Sequence, residues 1–238
     1  MKSLTTLFLT AVLSSHLAAQ EPDANAILEG ARLAATLTQI DEGLQGSLTQ
    51  GSKRIPITLF LKGKDIQFQF TENGKLRIFH MRLGDEKFEL FEIIKGKTVN
   101  FPRNKLIEPI AGTDLTYEDL ALRFFYWPKP KLEGRENVGG EECYRLLLDK
   151  PKNAVGRYQR VYVWIHTKFG AFMRIRGYDD NGGLLKEFQV EDVMQVSEQV
   201  WVLKKMQVAT HDPKTERRIS ITDVIFKKGS EKELKGIR

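Results

Sequence analysis

The sequence predicts an α+β protein that is mainly β, an antiparallel meander of about ten to eleven strands interrupted by two helices. Three observations predict it. Over most of the chain, apolar residues alternate with polar ones at period two, in runs that recur about every eight to twelve residues. Tight-turn sequences join several of these runs, which makes their strands antiparallel neighbours. Only two segments, 22–38 and 113–128, carry the helical period instead.

The elements follow in order. Residues 1–19 begin with Lys2, continue through an apolar stretch from Leu4 to Leu13, and end in Leu17-Ala18-Ala19. This is the pattern of a cleaved secretory leader. Its apolar core of about ten residues is short of the roughly twenty that span a bilayer. The cut is expected after Ala19, leaving residues 20–238 as one domain, and export implies a periplasmic location. No cysteine lies near the cut, so lipidation there is not expected, and Cys143, the only cysteine, has no disulfide partner within the chain. The net charge of +6, falling to +5 without Lys2, is modest and its basic residues are scattered, which argues against nucleic acid as a partner.

From Pro22 to Thr38, Asp23 is placed to cap a helix whose face carries Ile27, Ala31, Ala34 and Ala35, small residues that allow close approach to a sheet. Gly43 and Gly46 are read as punctuation before the first strand. Ile55, Ile57, Leu59 and Leu61 then share one strand face, and Ile66, Phe68 and Phe70 share a face of the next, across the turn Lys62-Gly63-Lys64-Asp65. Pro56 cannot donate to a ladder, so its strand is expected at an edge or bulged, with the sheet open there. Asn73-Gly74 and Asp180-Asn181-Gly182-Gly183 mark hairpins. Further strands are expected near 75–83, 87–94, 142–149, 158–166, 171–178, 184–194, 199–210 and 217–227. The β pattern is broken between Asn104 and Lys131 by an aromatic helix over 113–128, in which Thr116 and Asp119 resemble a capping box, Glu118 and Asp119 suit the first turn, and Pro128 is the stop.

The small-residue helix, the run of antiparallel strands, the stretch Gly112-Thr113-Asp114-Leu115-Thr116-Tyr117-Glu118-Asp119-Leu120 and the strand Arg157-Tyr158-Gln159-Arg160-Val161-Tyr162-Val163-Trp164-Ile165 together resemble the LolA-like outer-membrane lipoprotein-sorting proteins. The resemblance spans nearly all of residues 20–238. It implies an open half-barrel with a helical lid over an apolar cavity that accepts acyl chains. The same fold serves lipoprotein carriers, lipid-binding periplasmic stress sensors and proteins that work beside lipid exporters of the RND type, so the fold does not fix the cargo. In the well-studied carriers a strand arginine ties the lid shut through helix backbone groups, and no residue is assigned to that role from this sequence.

Ile57, Leu59, Leu61, Phe68, Phe70, Tyr117, Leu120, Phe124, Phe125 and Trp127 are the candidate lining and lid residues, although a filled core would use the same side chains. Each methylene removed from water contributes about 0.8 kcal/mol, so two or three buried acyl chains would hold far too tightly for exchange unless a lid opens and closes at some cost. The leading function is therefore a periplasmic carrier that binds lipoprotein acyl chains or another lipid for transfer toward the outer membrane. It is expected to act as a chaperone-like monomer, with an inner-membrane exporter and an outer-membrane acceptor as partners. The alternative is a lipid-responsive sensor that regulates a membrane partner.

Asp192 shares strand phase with Phe188 and Val190, and Asp223 with Ile219 and Ile221. Paired acids, a salt bridge to Arg174 or Arg176, a headgroup contact or a bulge that shifts the phase would each account for them. His80, His166 and His211 lack metal-ligand spacing, and no nucleophile elbow, phosphate loop or zinc-protease motif occurs, so neither an enzyme nor a cofactor or metal is expected. Cys143, flanked by Glu141 and Glu142, reads as a buried strand residue. The basic pairs Lys204-Lys205, Arg217-Arg218 and Lys227-Lys228 are candidates for docking an anionic surface or for solvated strand faces.

Overall fold

A computed structural model describes residues 22–36, 40–83, 88–197 and 200–228. The leader read over residues 1–19 lies outside them. Helix α1 spans Ala24–Thr36, and the Asp23 carboxylate accepts from the Ala26 N–H at 3.2 Å, the cap the sequence placed there. Thr38, where the sequence ended this helix, lies outside the described residues.

Among the described residues, thirteen strands form one antiparallel sheet. The first six are β1 (Ile40–Gln50), β2 (Lys53–Lys62), β3 (Asp65–Glu72), β4 (Lys75–Leu83), β5 (Phe88–Ile94) and β6 (Lys97–Asn100). After the interruption come β7 (Lys131–Val138), β8 (Glu141–Asp149), β9 (Arg160–His166), β10 (Phe172–Tyr178), β11 (Leu184–Ser197), β12 (Val200–His211) and β13 (Arg218–Lys228). The order across the sheet is β6-β5-β4-β3-β2-β1-β13-β12-β11-β10-β9-β8-β7, so each strand pairs with its chain neighbour except where β13 returns to lie beside β1. The sheet does not close into a barrel. Its free edges are β6 and β7, and the segment 101–130 joins them across the inner face.

The sequence located ten of these strands and missed β1, β6 and β7. β1 contains both glycines that were read as punctuation. A Cβ at Gly46 would stand 2.6 Å from the Ile225 carbonyl oxygen and the Phe226 ring, so glycine is what lets β13 and its aromatic side chain close over β1. The edge expected at Pro56 is also corrected. β2 lies between β1 and β3, with Pro56 opposite Ser47 on β1, while the β3 ladder begins at Ile57 opposite Phe70. Pro56 therefore sits just past the end of that ladder, where β3 demands no N–H from it. The hairpin at Asn73-Gly74 forms as expected, with both residues in the left-handed region and Glu72 opposite Lys75.

The single helix expected over 113–128 is instead a strap of short turns: 3-10 turns at Arg103–Ile107 and Ile110–Gly112, helix α2 at Tyr117–Ala121, and another 3-10 turn at Arg123–Tyr126. The break after Ala121 has a local cause, since Leu122 adopts φ 44°, which ends α2 and restarts the chain in a new direction. The capping box does form: the Asp119 N–H donates to Thr116 Oγ1 at 3.3 Å and the Thr116 N–H to Asp119 Oδ2 at 2.8 Å. Strap, α1 and the inner face of the sheet enclose one apolar cluster. Phe70, Phe79, Phe101 and Tyr117 meet at ring-centroid distances of 4.8–6.1 Å near one end, and Phe124, Trp127 and Tyr158 form a second aromatic group.

Candidate functional site

The ten candidate residues come from two strands and the strap. Ile57 stands opposite Phe70, Leu59 opposite Phe68 and Leu61 opposite Ile66, so β2 and β3 present them as cross-strand pairs on one face. Tyr117, Leu120, Phe124, Phe125 and Trp127 reach the same cluster from above, and the Phe70 and Tyr117 rings touch across the gap at 6.1 Å. Leu59 is half-buried against the cluster, and Leu61 is buried but outside it. In this structure strap and sheet side chains fill the space between them. Two surface concavities, one of about 410 Å3 beside Ser47, Pro56 and Ile225 and one beside Gln189, Gln207 and Ile221, are lined by none of the ten.

What holds the strap is polar, and sequence reasoning did not foresee it. At one end the inner face changes character: Lys186 on β11, Thr210 on β12 and Ser220 and Thr222 on β13 occupy inward positions. Three acids of the strap meet this end. The Asp114 carboxylate accepts from Thr222 Oγ1 (2.8 Å), Thr210 Oγ1 (2.5 Å), Gln50 Nε2 (2.9 Å) and Ser220 Oγ, and the Asp114 N–H donates to the Thr222 hydroxyl at 3.0 Å. Those four donors match a carboxylate's capacity of about four lone-pair sites. Asp119 accepts from Lys186 Nζ at 2.8 Å and from the Tyr158 hydroxyl at 2.5 Å, and Lys186 also donates to the Asp114 carbonyl. Lys186 and Asp119 have side chains only 4% and 0% exposed, so each depends on the other for its charge partner.

Glu118 completes the set. Its Oε2 accepts from the Arg157 N–H at 2.9 Å, and its carboxylate lies against the backbone of Gly156. Burial pushes its pKa up to about 7, with the Asp119 carboxylate adding to the rise and the Arg157 N–H, Lys150 and Arg123 opposing it. Burial likewise drives the Tyr158 hydroxyl well above the ordinary tyrosine value. Toward β2 and β3 the strap is caught by its backbone: Ala111 donates its N–H to Glu72 at 2.9 Å, and its carbonyl accepts from Lys53. Lys186 is thus a strand cation tied to strap backbone through the Asp114 carbonyl. The signal for it was in the sequence, since Lys186 shares strand phase with Phe188 and Val190, as does Asp192.

Asp192 and Asp223 do not form a pair. β11 shifts register on both sides of Asp192, the bulge that was one of the expectations, and its exposed carboxylate bonds Lys204 at 2.5 Å. Asp223 accepts from Gln207 at 3.0 Å and lies 4.0 Å from Lys205. Ile219, which shares strand phase with Asp223, is 66% exposed, so this apolar phase of β13 faces outward. Arg174 and Arg176 bond Gln189 and Glu187 instead, and both guanidinium groups lie 5.7 Å from the centre of the Trp164 ring. Lys204 and Lys205 are engaged by Asp192 and Glu191. His80 bonds Asp65 at 2.8 Å and His166 bonds Glu141 at 3.2 Å, and no cluster of three or more metal-ligating side chains occurs among the described residues. Cys143 is fully buried in β8.

With this geometry in view, solved structures identify the fold. A DUF1329 family protein from Desulfovibrio piger superposes with a TM-score of 0.64 at 19% identity, covering 86% of this chain and 91% of its own. An outer membrane lipoprotein-sorting protein domain from Vibrio parahaemolyticus gives 0.63 at 15% identity, covering 90% and 98%. A LolA superfamily protein from Nitrosomonas europaea gives 0.59 at 16% identity, covering 89% and 96%. No curated protein sequence matches the chain. A family model described as "Uncharacterized protein" matches residues 94–234, from the end of β5 through the strap and all the later strands. The chain belongs to that family, and its fold is that of the LolA-like lipoprotein-sorting proteins.

Proposed function

We propose that this chain is a periplasmic carrier that holds the acyl chains of a lipoprotein, or another lipid, between the inner face of the sheet and its two covers, for transfer toward the outer membrane. The observation that carries the reading is the division of the inner face. Its polar end docks the strap through Asp114, Asp119 and Lys186, while the rest is apolar and, among the described residues, is covered by side chains of the strap and α1. Ile57, Leu59, Leu61, Phe68, Phe70, Tyr117, Leu120, Phe124, Phe125 and Trp127 are the lining in this reading.

Polar docking suits a carrier. Hydrogen bonds and a buried ion pair re-form in one geometry, so the strap returns to the same place after each exchange, and the energy needed to part it from the sheet lowers the net affinity for cargo. The test is native mass spectrometry of the protein purified from its own periplasm, followed by organic extraction. An acylated species at near one-to-one stoichiometry is the expected result. A protein that arrives without one and also excludes fluorescent fatty-acid probes would overturn the proposal.

A further inference from the structure

Arg32 differs from the other cations that touch the covers. It follows Leu28 by one helical turn on the face of α1 turned toward the cluster, and Leu28 is completely buried there. Its guanidinium carbon lies 5.2 Å from the centre of the Tyr126 ring, at the seam where α1 meets the strap, next to Phe125 and Trp127. Arg32, Arg77 and Arg145 each have a buried Nε without a hydrogen-bond partner. Arg77 lies beside Glu72 and Glu92, and Arg145 beside Glu133 and Glu136. Arg32 forms no ion pair among the described residues. A half-buried guanidinium facing an apolar cluster and lacking a carboxylate has unused donors in a setting where an anion would be held strongly.

We infer that Arg32 receives the anionic end of an acyl ligand. The inference rests on the carrier reading and deepens it: the cargo is an amphiphile with a carboxylate or phosphate head, its chain lying beneath the covers and its head at the seam between α1 and the strap. The planar fork of arginine suits both head groups through paired N–H donors, and Tyr126 holds the fork in place from behind.

The test is competition of dodecanoate, dodecyl phosphate and the uncharged dodecanol against a fluorescent fatty-acid probe, on the wild-type chain and on Arg32→Gln and Arg32→Lys. All three proteins are first matched for thermal unfolding. Expected is a preference of about tenfold for the acids over the alcohol in the wild type, lost in Arg32→Gln and partly kept in Arg32→Lys. The stronger of the two acids then tells a fatty acid from a phosphate-headed lipid. If the alcohol equals both acids, or Arg32→Gln keeps the preference, the role of Arg32 is refuted while the carrier reading stands. If the probe binds but none of the three displaces it, the role of Arg32 is likewise refuted; if the probe does not bind and the protein also arrives from its periplasm without an acylated species, the carrier reading fails and Arg32 has no cargo to hold.

Discussion

Replacing Glu118 with glutamine gives the sharpest test of how the strap is held. Glu118 is buried, and its folded pKa of about 7 stands above the ordinary value of 4.5. Between those values the folded chain holds a proton that the unfolded chain has lost, so stability falls as pH rises through this interval and levels off above it. At about 1.4 kcal/mol per pH unit, the interval amounts to about 3 kcal/mol. Glutamine keeps an oxygen to accept from the Arg157 N–H but has no charge to bury. Urea unfolding of both proteins from pH 4.5 to 8.5 measures the difference, which cancels every titration they share. The wild type should lose about 3 kcal/mol relative to Glu118→Gln between pH 4.5 and 8, with the steepest change about midway between 4.5 and 7 and a levelling above pH 7. Parallel profiles would refute the argument, and so would a wild type that gains on the variant as pH rises.

Three further outcomes are expected. Lys186→Met leaves Asp119 and the Asp114 carbonyl without their buried cation and should cost about 3–5 kcal/mol in denaturant unfolding, with Asp119→Asn recovering part of the loss in the double variant; a cost below about 1 kcal/mol would show that the pair does not hold the strap. Gly156→Ala would place a Cβ 1.7 Å from a Glu118 carboxylate oxygen at φ 143°, so a loss of more than about 1 kcal/mol is expected, and adding Glu118→Ala should restore a measurable share; an unchanged midpoint in Gly156→Ala would contradict the close approach. Cys143 is fully buried, and burial pushes its thiol up to about 11, so an aromatic disulfide reagent at pH 8 should leave the native chain unmodified for hours and label it at once in guanidinium; rapid native labelling would place β8 nearer to solvent than described.

The parts of the fold that were legible from sequence are those whose information is local. The Asp23 cap, the Asn73-Gly74 turn and the Thr116–Asp119 capping box each act within a few residues, and all three form. Strands with one buried face announce themselves by alternation, as β2 and β3 do. The missed strands lack it. All four residues of β6 are exposed, β7 is a charged edge with a register shift between Leu132 and Arg135, and β1 carries two glycines whose purpose depends on distant rings, Phe60 for Gly43 and Phe226 for Gly46. The break at Leu122 was hidden because no residue type there demands a positive φ. Lys186 was legible in principle: a lysine in phase with Phe188 and Val190 signals a buried partner as plainly as Asp192 did, and here the partner sits in the very stretch that carried the family resemblance.

The pairing of β1 with β13 sets the order in which the molecule can assemble. Leu48 lies opposite Val224, and no other strand takes that side of β1. Until β13 is in place, the earlier hairpins form two separate ladders, each with an unsatisfied edge at what becomes the middle of the sheet. Threonine and serine from the last two strands also complete the site of Asp114, so the strap cannot settle before then. A sheet closed through so distant a pair of strands carries a high contact order, and its last ladder is expected to be the slow step of folding.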